Sequence, residues 1–293
     1  TRAEHHANLV PWQELAARTG ASLRWLDLTE DGRIDPTTVR VITERTRLLA
    51  LTHASNVTGA ITPLVDILPA ARAVGALVVL DTCQSAAHLP LDFAALHAAG
   101  VDAMVLSSHK MLGPTGIGAL VAAEELLEAM PPVLTGGSMI EVVRMESSTY
   151  MSGPARFEAG SQPLAQAAGW RTAVDYLSGL GMDRLHAGEL DLMQRVLDGL
   201  AALDGVRVLG PADTRERLGV VAFTVDSVHP HDVGQVLDAS GVAVRTGHHC
   251  AQPIHAHFSV SSSARVSFGV TTTAGEVDRF LEAAAGVRAY FQR

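Results

Sequence analysis

Through its first two thirds the chain alternates short runs dense in Val, Leu, Ile and Ala with longer segments of helical period, and this alternation restricts the fold more than any other feature. Strand candidates are Ser22–Leu28, Arg47–Thr52, Ala76–Asp81, Ala103–Ser107 and Gly118–Ala122. Helical patterns cover Leu9–Thr19, Pro36–Thr43, Pro63–Val74 and Asp92–Ala99. Apolar strands separated by helices imply a mostly parallel sheet covered by helices. Two long helical stretches follow, Leu164–Leu180 and Met182–Leu203. Beyond them strands are expected near Val206–Leu209, Val220–Val225 and Arg265–Val270, and helices at Asp232–Ala239 and Ala274–Phe291. The expected class is α/β with a smaller α+β C-terminal domain. Residues 1–182 are read as the large domain, and 183–293 as a linking helix and the small one.

In open parallel sheets ligands bind at the carboxyl ends of the strands. Polar clusters fall at those ends: Thr52–Asn56, Asp81–Ser85 and Ser107–Lys110. Strand-to-helix turns need only turn residues, whereas these carry Asn, Asp, Gln, Ser, His and Lys.

Composition narrows the function. A formal charge of -9 argues against nucleic acid or an anionic membrane as the main partner, since both need clustered cations. No apolar run is long enough to cross a bilayer, and no charged-then-apolar leader points to secretion. Two cysteines, Cys83 and Cys250, exclude a disulfide framework, which fits a reducing cytoplasm. Of the 22 Lys and Arg residues only Lys110 is lysine. Arginine replaces lysine where a charge on a long stem suffices, but not where the amine must lose its proton and attack a carbonyl.

Around Lys110 the residues suit such a reaction. Ser107-Ser108-His109-Lys110 ends a strand and precedes the glycine-rich stretch Gly113–Gly118. There an amine can form a Schiff base with an aldehyde cofactor while hydroxyl and imidazole groups bind a phosphate. A nucleotide phosphate loop is the rival, but its glycines precede the lysine and these follow it. Asp81 supplies the carboxylate that keeps a pyridine nitrogen protonated in pyridoxal phosphate chemistry, or else it caps the next helix. Cys83 reads as a small pocket-lining residue, since buried thiols are usually inert. In Arg245-Thr246-Gly247-His248-His249-Cys250 the thiol lies beside Arg and two His, a positive setting that favours the thiolate. Three consecutive residues cannot all turn toward one tetrahedral zinc, so a nucleophile is the better reading and no metal site is assigned. His53, His88 and His255 are read as structural.

Taken together, Glu4-His5-His6-Ala7-Asn8, Ser55-Asn56-Val57, Asp81 with Gln84-Ser85, Ser107 with His109-Lys110, Arg156–Gly160, Arg245–Cys250 and Arg265 resemble the cysteine desulfurases of the SufS type. These are group II members of the class V aminotransferase-like enzymes of fold type I, and the likeness runs along essentially the whole chain. The short segment from Cys250 to Arg265 is similar to the group II form. The resemblance implies that Lys110 holds pyridoxal 5'-phosphate and later moves protons. It implies that His5 stacks on the ring, Asp81 pairs with its nitrogen, Gln84 bonds its phenolic oxygen, and Ser107 and His109 bind the phosphate. Ser161, where the family often has Thr, would reach the phosphate of the neighbouring subunit in a homodimer. Asn56 and Arg265 would hold the carboxylate of L-cysteine, with Arg245 also at the substrate. Cys250 would take the sulfur as a persulfide, releasing alanine. A SufE- or SufU-type protein would then collect it for iron–sulfur cluster assembly. Selenocysteine lyase, another pyridoxal-phosphate aminotransferase or lyase, and a non-catalytic homologue remain alternatives. Family members carry a substantial segment before the position of Thr1, so the resemblance also implies that the N-terminal part of the large domain is missing from this sequence.

Overall fold

The computed structural model describes residues 1–291. After helix α1 (Val10–Thr19), strands β1 (Leu48–Thr52), β2 (Leu77–Asp81) and β3 (Ala103–Ser107) lie parallel in that order, and β4 (Gly118–Ala122) closes the sheet antiparallel to β3. Helices α2 (Leu64–Ala73) and α3 (Phe93–Ala99) supply the crossovers that parallel pairing requires. Leu51, Val78 and Leu80 are buried against Ile67, Leu68 and Ala71 of α2, so the aliphatic density that marks the strands is spent on one core. In register Thr52 sits opposite Asp81, and Asp81 opposite Val105. Strands β1 and β2 therefore finish level and β3 runs two residues further, and the polar residues that follow them emerge along one rim.

Helix α4 (Glu124–Ala129) and a hairpin, β5 (Ile140–Val143) with β6 (Ser148–Tyr150), come next, then the long helices α5 (Leu164–Leu180) and α6 (Met182–Ala201). Met193, Val196, Leu197 and Leu200 form one buried stripe of α6, the spacing expected of a helix with a single covered face. That stripe packs on a second sheet, ordered β7 (Val206–Leu209), β8 (Val220–Val225), β10, β9 and antiparallel throughout. Helix α7 (Pro230–Ala239) precedes β9 (Arg245–Gly247), α8 (Gln252–His257) lies between β9 and β10 (Ser263–Ser267), and α9 (Ala274–Phe291) follows. In this second core the rings of Phe223 and Phe280 meet edge to face, with centroids 5.8 Å apart. Helix α8 belongs to the other core: Ala251, Ile254 and Phe258 pack with the β1–β3 cluster.

Several expectations change. Ser22–Leu28 is not a strand; its only ladder contact is an isolated bridge from Leu28 to Ile34. Leu26 is buried all the same, so the apolar pattern there reports packing without pairing. Pro36–Thr43 tightens into a 3-10 helix over Pro36–Val41, with Asp35 capping Thr37. The last strand runs over Ser263–Ser267 instead of Arg265–Val270. Among the described residues no helix is long and apolar enough to cross a membrane, and no group of three or more His, Cys, Asp or Glu side chains could hold a metal ion.

Phe223 is fully buried. Replacing it with alanine is expected to lower the free energy of unfolding by about 3–5 kcal/mol in urea titration, because the second core cannot collapse onto the missing ring.

Candidate functional site

The site begins with the 3-10 turn Ser108–Lys110 that ends β3. Met111 and Gly113 donate their N–H groups to Ser108 O at 2.8 and 3.0 Å. A Cβ on Gly113 would come within 2.2 Å of the buried Ser108 Oγ, so this close return of the chain needs glycine. Lys110 emerges half-buried, and among the described residues its amine forms no hydrogen bond or ion pair. Asp81, at the end of β2, accepts from Cys83 N at 2.9 Å through Oδ1.

His5 lies against both groups. Burial and then the Lys110 ammonium hold its imidazole below the ordinary range, and the Asp81 carboxylate opposes them. His5 Nδ1 accepts from Ala7 N at 3.1 Å, which puts the ring proton on Nε2. The preceding residue anchors this segment. Buried Glu4 accepts from Thr52 N (3.0 Å) through Oε1 and from Asn8 Nδ2 (2.7 Å) through Oε2, while Asn8 Oδ1 accepts from Trp12 Nε1 (3.0 Å). Glu4 had no role in the sequence reading beyond the motif; the four-residue spacing of Glu4, Asn8 and Trp12 was the available signal.

Beside Asp81, the Cys83 thiol is pushed up to about 11, by burial first and then by the Asp81 carboxylate. Its Sγ lies 3.4 Å from Ser107 Oγ. His53 Nδ1 lies 2.8 Å from Ser85 Oγ, and burial holds that ring down to about 4. Gln84 is half-buried at the entry to the next turn. His109 and Ser161 are exposed. Ser161 lines an open hollow with Ser138, Glu158 and Gly160, none of them at the Lys110 turn.

The thiol is presented by the second sheet. Arg245 of β9 and Arg265 of β10 are registered opposite one another. Arg245 Nη2 donates to Cys250 Sγ at 3.2 Å, a contact that serves an anionic sulfur better than a neutral one. Arg265 Nη1 donates to Asn56 O at 2.9 Å, and its buried Nε has no partner among the described residues. Burial, with Arg245 nearby, lowers the Arg265 guanidinium to about 10, which leaves it charged. Asn56 Nδ2 donates to His249 O at 2.6 Å. His6 N donates to Cys250 O at 2.7 Å, and Gln252 N donates to His6 Nε2 at 3.1 Å.

The sequence reading of the thiol's surroundings needs one correction. Burial, then Arg265, hold His249 down to about 3, so this imidazole is neutral and adds no positive charge. The cation at the sulfur is Arg245.

A primary amine without a partner, a carboxylate and a neutral imidazole thus meet at one rim, with a partnerless guanidinium nitrogen near the thiol. These groups suit an aldehyde cofactor with a basic ring nitrogen and an amino acid substrate with a carboxylate.

Comparison with known proteins agrees. Residues 1–280 match the family described as Aminotransferase class-V. The chain is 51% identical over 293 residues to "Probable cysteine desulfurase 2" of Mycobacterium leprae, covering all of this chain and 69% of that protein. The crystal structure of the cysteine desulfurase CsdA (S-sulfonic acid) from Escherichia coli superposes with a TM-score of 0.93 at 35% identity, covering 99% of this chain and 71% of that one. A lysine-to-alanine mutant of C-DES, with glycine covalently linked to its PLP cofactor, superposes with a TM-score of 0.83 at 26% identity, covering 97% and 72%.

Two measurements test this electrostatic picture. Unfolded histidines titrate near 6.5, whereas His53 and His249 are held to about 4 and about 3. Below pH 6.5 the unfolded chain takes up protons that the folded chain refuses, so the stability these neutral rings contribute is complete above that pH and is lost as pH falls. Urea titrations should show unfolding becoming easier from pH 6.5 to 4, by up to about 1.4 kcal/mol per pH unit for each ring. In the second measurement, iodoacetamide at pH 8 followed by peptide mass spectrometry should label Cys250 well before Cys83.

Proposed function

Because the chain belongs to the class-V aminotransferases, and to the cysteine desulfurases among them, we propose that it converts L-cysteine to L-alanine and leaves the sulfur as a persulfide on Cys250. The observation that carries this reading is the span of the His5-His6 dipeptide: His5 feels Lys110 and Asp81, while His6 N–H is bonded to the carbonyl of Cys250. The free amine and the thiol thereby serve one site.

The cofactor is pyridoxal 5'-phosphate, which when bound supplies an electron sink for charge developing beside the substrate's amino group. Lys110 would hold it through its amine, with His5 beside the ring and Asp81 serving the pyridine nitrogen. Gln84 would serve the phenolic oxygen, and Ser107 and His109 the phosphate. Ser161 would serve the phosphate of a second subunit. Arg265 offers its Nε edge to the substrate carboxylate, with Asn56 beside it; its Nη1 is already committed to the Asn56 carbonyl. The Lys110 amine would also carry protons between the substrate's α-carbon and its surroundings.

The sulfur step balances without an external oxidant. The Cys250 thiolate attacks the substrate sulfur, an S–S bond forms, and the carbon–sulfur bond breaks. The substrate's β-carbon keeps the electron pair, takes a proton and leaves as alanine's methyl group. Both sulfurs are oxidised as that carbon is reduced. Arg245 steadies the anionic sulfur before attack.

We also infer a homodimer, supported by exposed apolar side chains along the β5–β6 hairpin (Val142, Val143, Met145) and at Leu120 and Leu164. A SufE- or SufU-type acceptor in the cytoplasm, feeding iron–sulfur cluster assembly, would take the persulfide sulfur.

With L-cysteine, added cofactor and a reductant, the chain should release alanine. Lys110→Ala and Cys250→Ala should each reduce that release by at least about a hundredfold, since each removes a group that forms a covalent bond. Alanine release undiminished in Cys250→Ala would show that the sulfur leaves by another route.

A further inference from the structure

His249 and Cys250 are consecutive non-glycine residues in the left-handed region, with φ of 52° and 57°. Each such residue costs roughly 1–2 kcal/mol against its right-handed alternative. A strained pair of this kind persists only where its surroundings over-determine it. The bonds that Asn56 Nδ2 and His6 N donate to the carbonyls of His249 and Cys250 provide part of the restraint.

The His249 side chain provides a further restraint, one the desulfuration steps do not use. It is 1% exposed, with Nε2 2.9 Å from Ser263 Oγ in β10. The same hydroxyl lies 3.0 Å from His255 Nε2 in α8. Proton positions in this chain follow from one fixed end. His255 Nδ1 faces Ala251 O at 3.0 Å, and a carbonyl only accepts, so Nδ1 carries the proton. Burial keeps His255 below the ordinary imidazole range, so its Nε2 is bare and accepts from Ser263. A serine has one proton to give, and therefore Ser263 Oγ accepts from His249 Nε2–H. This leaves His249 Nδ1 bare, buried and without a partner among the described residues.

We propose that His249 is a positioning residue for the sulfur-accepting thiol: its ring, tied through Ser263 to His255, clamps the left-handed turn and keeps Cys250 Sγ on Arg245. Ser263 and His255 act only through that ring. The role presumes Cys250 to be the nucleophile of the desulfuration proposed above. The clamp joins three elements, the thiol turn, β10 and α8, with no charged group in the chain. A neutral clamp is what the place permits, because a protonated His249 would set a further cation beside Arg265 and Arg245.

Two readouts on the full chain test it. One is the iodoacetamide rate at Cys250, which needs no turnover. The other is alanine release from L-cysteine with added cofactor. The thiolate is the species alkylated, and the Arg245 contact favours it, so a released turn should react more slowly. His249→Ala and Ser263→Ala should each slow alkylation and lower kcat by about tenfold, the scale of one lost buried hydrogen bond. KM for L-cysteine should stay within about twofold, since uniform substrate binding is untouched. His249→Gln, whose amide can donate to Ser263 from the Nε2 position, should recover both rates to within about threefold of the unmodified chain. The double variant His249→Ala/Ser263→Ala should be no slower than the slower single, as expected for one interaction removed twice. Alkylation unchanged or faster in His249→Ala, additive losses, or a folded His249→Gln without recovery would overturn the clamp. If the unmodified chain released no alanine, the desulfurase reading would fall, while the alkylation series would still decide the clamp.

Discussion

Asn56 joins the first sheet to the thiol turn and to Arg265 of the second, and the rest of the arrangement depends on it. Its amide nitrogen donates to the carbonyl of His249, and its own carbonyl accepts from Arg265. The first bond fixes the turn that presents the thiol, and the second fixes the cation suited to a carboxylate. Both come from one buried residue that follows the end of β1, level with Asp81. The thiol turn and Arg265 are thereby tied to the end of the first sheet by buried bonds onto main-chain carbonyls instead of by flexible surface charges. One of the two bonds involves a guanidinium, which strengthens it, and leaving either unmade would strand a buried polar group.

The division of labour between lysine and arginine is visible throughout. Arg217 is fully buried and donates to the carbonyls of Pro211 and Val220. Arg156 donates to the last carbonyls around α4, at Leu127, Glu128 and Met130. Both tasks use a planar cation with several donors that keeps its proton. Among the described residues Lys110 has neither kind of partner, which is what an amine proposed to react requires.

The first three strands of the first sheet were legible because aliphatic density and helical crossovers leave little choice but parallel pairing, whereas the antiparallel pairing of β4 has no such crossover to announce it. The convergence of Asp81 and Lys110 was legible too, because chemistry concentrates at strand ends. Ser22–Leu28 misled because an apolar residue such as Leu26 can be buried by tertiary packing with only scattered backbone bonds and no continuous ladder. The three-residue β9, the six-residue α8 and the β5–β6 hairpin were too short for periodicity to register. The charge of His249 was illegible for a different reason. Histidine beside cysteine suggests a cation, and only the burial of the ring among Arg265, His255 and Arg245 makes it neutral.

The thiol turn is fastened on both sides: Ala251, Ile254 and Phe258 sink into the core under the first sheet, while Ser263 and Arg265 belong to the second. Sulfur carried at Cys250, as proposed, would sit on a rivet between two plates, with no tether of its own. Delivery would then become a matter of the recipient's reach. Access, more than mobility, would set the pace of the hand-over.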